Sequence, residues 1–282
     1  MSFGPRPWQQ LHWDARAAGN FIGGGAGSGL LVFAFMADVA GTLRSALVLL
    51  ALSLVGAGLL CVWAEIGRPL RAINVLINPR TSWMTREAMV APLVFGSGAA
   101  LLGGWPAAWP LLAVAALAFL YCQSRILQAA KGIPAWREPL TVPLILFTGL
   151  AEGAGLYWIV APWWGGSSPI AGAWLAFGVL LALRFAVGAL WYRRLAGQLP
   201  RRSLAAVNRA GHVFNGGTLL ALAITLGVWL TPLGPGWIAP LQALAGALAV
   251  LGGAGFKFQL VTRAAFNQGF ALPHLPVRGV RR

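Results

Sequence analysis

Apolar residues along this chain run in long uninterrupted stretches, and the breaks between stretches are short and rich in glycine and proline. The pattern predicts helices near residues 16–38, 45–66, 86–104, 107–129, 139–161, 168–192, 213–231 and 237–261. Each run approaches the ~20 residues that an α-helix needs to cross the hydrocarbon core of a bilayer. Clusters at Gly103-Gly104-Trp105-Pro106, at residues 162–169 and at residues 232–240 mark three of the connections, and none of these carries a charge. The expected fold class is therefore all-α, a polytopic membrane protein of about eight transmembrane helices forming a single integral membrane domain over 1–282. Two four-helix bundles are one arrangement open to it. No internal repeat stands out, and hydropathy leaves a four-plus-four pseudo-repeat open.

Composition agrees with that pattern. Of 282 residues 58% are hydrophobic and 10% charged, where a soluble domain carries about a quarter charged. Mean hydropathy is +0.73. The formal charge of +15 raises the question of a nucleic-acid partner. The basic residues, however, are scattered among apolar runs rather than lined along one polar face, which excludes that class. They sort by connection instead. Arg6 and Arg16 lie at the N-terminal end, and Arg68, Arg71, Arg80 and Arg86 around the second loop. Arg125, Lys131 and Arg137 flank the fourth loop, and Arg193, Arg194, Arg201, Arg202 and Arg209 the sixth, with Lys257, Arg263, Arg278, Arg281 and Arg282 toward the C-terminus. Only Arg44 and Arg184 among the 21 basic residues fall outside this set. Basic loops stay on the cytoplasmic side, so an even number of spans in a bacterial-type cytoplasmic (inner) membrane is expected, with both termini cytoplasmic. The first fifteen residues lack an apolar signal-peptide core, so direct insertion of the first helix is expected.

The first span carries Gly23, Gly24, Gly25, Ala26, Gly27, Ser28 and Gly29. Small residues at this density let helices approach closely in lipid. A phosphate-binding glycine loop would need a preceding strand and a following Lys-Ser/Thr, and neither is present. Cys61 and Cys122 lie in apolar runs without metal-ligand spacing. His12, His212 and His274 are not mid-span, so no haem or metal is expected in this chain. His12 and His212 are placed at the membrane surface, where either could assist proton transfer.

Six acidic residues leave few places for proton chemistry. Asp14 and Glu138 fall at the surface, Asp38 ends the first span, Glu65 closes the second, Glu87 opens the third, and Glu152 lies mid-span in the fifth. A charge at the bilayer centre costs ~2.5 to 3.5 kcal/mol on insertion scales, so such residues are paired or functional. Arg184 and Lys257, both inside spans, are the candidate partners of Glu152. A buried ion pair and a proton-moving group are both open readings of this intramembrane charge.

The densest polar segment runs from Glu65 to Glu87. Its acids and arginines alternate with Val75, Leu76, Ile77 and Trp83, which suits an apolar ligand with a polar head. A quinone is such a ligand, since its carbonyls accept hydrogen bonds and its reduction takes two electrons and two protons. Glu65 and Glu87 are the candidate proton-exchanging (catalytic) groups, and Arg68, Arg71, Ser82, Trp83, Arg86 and His12 the candidate quinone-binding residues. The competing structural reading has Thr85 capping the third helix and Glu87 favouring its positive N-terminal end.

The strings Glu65-Ile-Gly-Arg-Pro-Leu-Arg-Ala, Asn74, Asn78-Pro-Arg and Ser82-Trp-Met-Thr-Arg-Glu87 resemble the membrane anchors of molybdopterin oxidoreductases, the DmsC/NrfD (polysulfide reductase-like) type. So does the opening Trp13 followed by Ala17-Ala-Gly-Asn-Phe-Ile-Gly-Gly-Gly-Ala-Gly-Ser-Gly. The resemblance implies an anchor that binds menaquinone or ubiquinone (quinone/quinol), holds no metal itself, and passes electrons to or from an iron-sulfur electron-transfer subunit wired to a molybdopterin catalytic subunit. By the same resemblance Glu87 matches an acidic residue implicated in quinol binding. Glu65 stands where those anchors usually carry histidine, which points to a different branch. The motifs are also similar to anchors associated with phenylacetyl-CoA:acceptor oxidoreductase. A rival from another class, a secondary transporter, would use Glu152 and Arg184 at the midplane. A third reading is a structural tether that does not touch quinone.

Overall fold

The computed structural model describes residues 4, 6–65, 69–164 and 171–270. Among these residues the protein is helical, with α1 Ala15–Met36, α2 Gly41–Glu65, α3 Trp83–Leu102, α4 Ala108–Ala129, a short α5 Pro134–Arg137, α6 Thr141–Val160, α7 Ala171–Ala196, α8 Arg201–Leu230 and α9 Pro235–Thr262. All the long helices except α3 are long and apolar enough to cross a membrane. α3 has 20 residues but carries Arg86 and Glu87 in its first turns, which lowers its hydropathy. The chain is an all-α polytopic membrane protein, as its hydropathy predicts.

Helix ends follow local chemistry. Ser82 caps α3, its hydroxyl accepting from the Thr85 amide at 3.2 Å, so Ser82 and not Thr85 is the capping residue. The Thr85 hydroxyl instead donates to the Val75 carbonyl at 2.5 Å, tying α3 to the 3-10 helix Pro69–Ile77. Asp14 caps α1, and the hydrogen bond from the Arg16 side chain holds its carboxyl below the usual carboxylate range. The turn from α1 to α2 uses a left-handed Asp38 (φ 49°) and Gly41 (φ 62°), the latter free of the Cβ that resists such a φ.

The long helices sort into two groups. α1 packs on α2 and α4, and α3 on α4; α6 packs on α7 and α9, and α8 on α7 and α9. The groups meet where α1 lies along α6, with further contacts from α1 to α9 and from α4 to α6. Two four-helix bundles joined along α1 and α6 describe the fold. The centre is correspondingly dry: 67% of the apolar windows of α1 and of α6 is buried, against 22% for α8.

The glycines of α1 explain how it serves so many neighbours. Gly23 and Gly27 face α2, where an added Cβ would meet the Leu54 carbonyl at 2.6 Å and the Ala51 carbonyl at 2.5 Å. Gly29 faces α6, which answers with Gly149 and Gly153, a Cβ on Gly29 colliding with the Gly149 backbone and one on Gly153 with Gly29, while Gly25 leaves room for the Lys257 ammonium of α9. The Gly23-xxx-Gly27 stripe brings the α1 backbone against α2, and Gly29 with the Gly149-xxx-Gly153 stripe brings it against α6. Toward the end of the bundle away from the basic loops, Phe33, Tyr157, Trp158, Trp174 and Phe177 form a continuous run of rings across α1, α6 and α7.

At the basic end, the segment before α1 crosses the residues after α9. Gln10 donates its amide to the Ala265 carbonyl at 2.9 Å, and Asn267 donates its own to the Trp8 carbonyl at 3.0 Å. Both described ends of the chain therefore lie on one face.

Candidate functional site

Four helices converge below that face. α1 supplies Asn20, α3 supplies Glu87, α4 supplies Gln123, and α2 ends at Glu65. Asn20 donates its side-chain amide to Glu87 Oε1 at 3.3 Å. Gln123 donates to the Asn20 backbone carbonyl at 3.0 Å, and Asn20, Glu87 and Gln123 are all buried. Asn20 Oδ1 and Gln123 Oε1 have no hydrogen-bond partner among the described residues. Buried acceptors left open beside a carboxylate need a donor.

A cavity of about 230 Å³ opens at this point, lined by Trp13, Asn20, Val62, Glu65, Met84 and Glu87, with Ala17, Phe21 and Ile126 completing the wall. Glu87 forms its deep end, and Glu65, half-buried at the end of α2, sits nearer the surface. Trp13, stacked on Trp136 with ring centroids 4.9 Å apart, closes the N-terminal side. The result is an apolar slot with two carboxylates and one open amide acceptor, Asn20 Oδ1, on its wall, the mix of apolar wall and few polar groups that small-molecule sites show.

The remaining sequence candidates fall elsewhere. Arg86 turns toward the loop, donating to the Pro79 carbonyl at 2.9 Å and the Arg80 carbonyl at 2.8 Å. Its guanidinium lies 4.0 Å from the Trp83 ring centroid. Trp83 meets Tyr121 edge-on and faces a neighbouring pocket, not the carboxylate cavity. Ser82 is engaged as the α3 cap. His12 is exposed in the turn before α1, its amide held by Gln10 Oε1 at 2.8 Å. Arg71 belongs to the 3-10 helix Pro69–Ile77, and Arg68 lies outside the described residues. Gln123 joins the site without a motif to announce it, and Asn20 lies in the string that opens at Ala17 without a role attached to it there; the further signal both carry is that lone amides in apolar spans need a partner.

A second polar cluster sits between the bundles. Lys257 of α9 pairs with Glu152 of α6, Nζ to Oε2 at 2.5 Å, both side chains fully buried. Lys257 also donates to the Phe21 carbonyl at 2.9 Å. Of the two candidate cations, Lys257 is the direct partner; Arg184 donates to the Ala249 carbonyl at 2.7 Å and lies over the Phe214 ring. Grouping Lys257 with the basic surface residues is corrected by this burial. The two clusters touch consecutive residues of α1: Asn20 holds Glu87, and the next carbonyl, Phe21, holds Lys257.

No protein-family model matches the chain. Over 127 residues it is 35% identical to a sulfite dehydrogenase subunit of Allochromatium vinosum, covering 37% of this chain and 38% of that protein. The chain thus spans less than two fifths of the curated relative that it matches.

Proposed function

We propose that this protein is the membrane anchor subunit of a multi-subunit molybdopterin/iron-sulfur oxidoreductase, exchanging electrons and protons between a membrane quinone or quinol and an iron-sulfur subunit. One observation carries the reading: Glu65 and Glu87, 22 positions apart and on different helices, line the same apolar cavity at the end of the bundle. The similarity to a subunit of a sulfite dehydrogenase supports membership of a redox complex. The concentration of basic residues on one face supports cytoplasmic termini and a bacterial cytoplasmic membrane as the location.

The residues fit a quinone headgroup. Phe21, Val62, Met84 and Ile126 supply apolar walls for a ring and the start of an isoprenoid tail. Asn20 Oδ1, on the cavity wall, stands ready to accept from a hydroxyl, with Gln123 bracing Asn20 through its backbone carbonyl. A bound quinone supplies the two-electron, two-proton couple. In this reading Glu87 holds or releases a proton at its buried carboxyl, Asn20 orients that carboxyl, and Glu65 exchanges protons with the surface. Trp13 limits water entry. The chain alone carries out no redox turnover, because the electrons come from its partners.

A secondary transporter is the second reading, favoured by the fully buried Glu152. Against it, Glu152 is engaged by Lys257. Affinity purification from native membranes in mild detergent, with identification of co-purifying chains and assay of iron and molybdenum, separates the two. An iron-sulfur protein and a molybdopterin subunit are the expected partners. A lone metal-free chain, found reproducibly in several detergents, would favour transport.

A further inference from the structure

Beside the carboxylate cavity, on the far side of the α3 and α4 contact, lies a separate pocket of about 510 Å³ lined by Thr81, Trp83, Arg125, Gln128, Lys131 and Arg137, with Ala129. Three of these side chains are cationic and none is acidic. The nearest acid in sequence, Glu138, is taken by Arg194 at 3.2 Å. Arg125 stacks on the pocket's aromatic wall, 4.7 Å from the Trp83 centroid, with its Nε buried and without a hydrogen-bond partner among the described residues. Arg137 donates to the Lys131 carbonyl at 3.1 Å, which fixes the loop that closes the site. The like charges of Arg125 and Lys131 beside one pocket repel unless an anion lies between them.

What kind of anion follows from the helix beneath. Down α4 from Arg125, the exposed positions are Tyr121 (39%), Leu117 (44%), Val114 (66%) and Leu111 (53%). Their spacing of three and four puts them on one helix face. This uncovered apolar stripe runs from the pocket toward the opposite end of the membrane span, and it suits acyl chains. A free phosphate has no use for the stripe, and an acidic peptide would lie along the surface and not down the helix.

We propose that the pocket binds the phosphate of an anionic membrane lipid, with Arg125 and Lys131 as the principal contacts, Thr81 and Gln128 donating to the headgroup, and the acyl chains lying on the α4 stripe. The site is distinct from the carboxylate cavity and does not depend on the redox reading. Basic pockets at the ends of spans take anionic headgroups at about 1 kcal/mol per cation.

The test is native mass spectrometry of the detergent-purified full chain titrated with dioleoylphosphatidylglycerol, and with dioleoylphosphatidylcholine as the zwitterionic comparison. Arg125→Gln/Lys131→Gln and the single Lys131→Gln accompany the wild type. The wild type is expected to hold one phosphatidylglycerol in preference to phosphatidylcholine. The double variant loses roughly ten- to thirtyfold in affinity for it and Lys131→Gln, an exposed position, a smaller part. Inorganic phosphate at the same concentration leaves the lipid in place. Equal retention by wild type and Lys131→Gln together with no lipid-class preference overturns the proposal. So does displacement of the lipid by equimolar inorganic phosphate, which would make this a free-anion site.

Discussion

Asn20 of α1 and Glu87 of α3, separated by 67 positions in the chain, meet through a buried 3.3 Å hydrogen bond. The bond aims the only carboxylate in α3 at the cavity that Glu65 also lines. Hydrogen bonds to charged groups contribute about 1.5–3 kcal/mol. Asn20→Ala is therefore expected to lower quinone-dependent turnover roughly tenfold or more, while the purified protein keeps its helical content by circular dichroism. Full activity in a well-folded Asn20→Ala protein would remove Asn20 from the site.

The Lys257 and Glu152 pair answers to a different test. Removing one partner of a buried pair leaves an uncompensated charge, at a cost of about 3–5 kcal/mol, whereas replacing both by apolar residues is often neutral. Lys257→Met should lower the thermal unfolding midpoint in detergent sharply. Lys257→Met/Glu152→Leu should recover most of that loss. A double variant as unstable as the single one would mean that the pair does more than tie α6 to α9.

Glycines at the helix crossing and glycines facing open space should behave oppositely. Gly29→Ala forces α1 away from the Gly149 backbone and is expected to reduce the yield of folded protein. Gly96, in α3, has nothing within 4 Å of where a Cβ would stand. Gly96→Ala should be neutral or stabilising by up to ~1 kcal/mol, from the higher helix propensity of alanine. Yield and unfolding midpoint of the two variants in the same detergent decide this.

Arg86 offers a control on the site's extent. Because its guanidinium is spent on the Pro79 and Arg80 carbonyls and on Trp83, Arg86→Gln should leave KM for quinone nearly unchanged. Substitutions away from a site are usually within about 0.5 kcal/mol. A large rise in KM would bring Arg86 into the quinone contact.

The spans are legible in the sequence because an apolar run of membrane length has few alternatives. α8 is the least legible: it begins at Arg201 rather than near 213, since Arg201, Arg202 and Arg209 hide a helical segment from any hydropathy reading. Glu65 and Glu87 stand out through their motif, and the structure does place both on one cavity. Their neighbours are harder to find. Asn20 and Gln123 contact each other across 103 positions, and only the packing of α1 and α3 on the shared α4 brings them to Glu87. The partner of Glu152 is undecidable from sequence between Arg184 and Lys257 because both lie at comparable depth; the close approach of α9 to α1 and α6 selects Lys257. The engagement of Arg86 is likewise not legible from sequence. Adjacent in sequence to Glu87, it sits on the other face of the helix and serves the loop.

The most direct test of the central claim is Glu87→Gln in the assembled complex, measured as quinone-dependent turnover alongside recovery of the partner subunits. Loss of general acid-base function typically costs about 10²- to 10⁴-fold. A fall of about a hundredfold or more, with partners recovered at wild-type levels, is the predicted result; wild-type turnover in an assembled Glu87→Gln complex would contradict the assignment of this cavity as the quinone site.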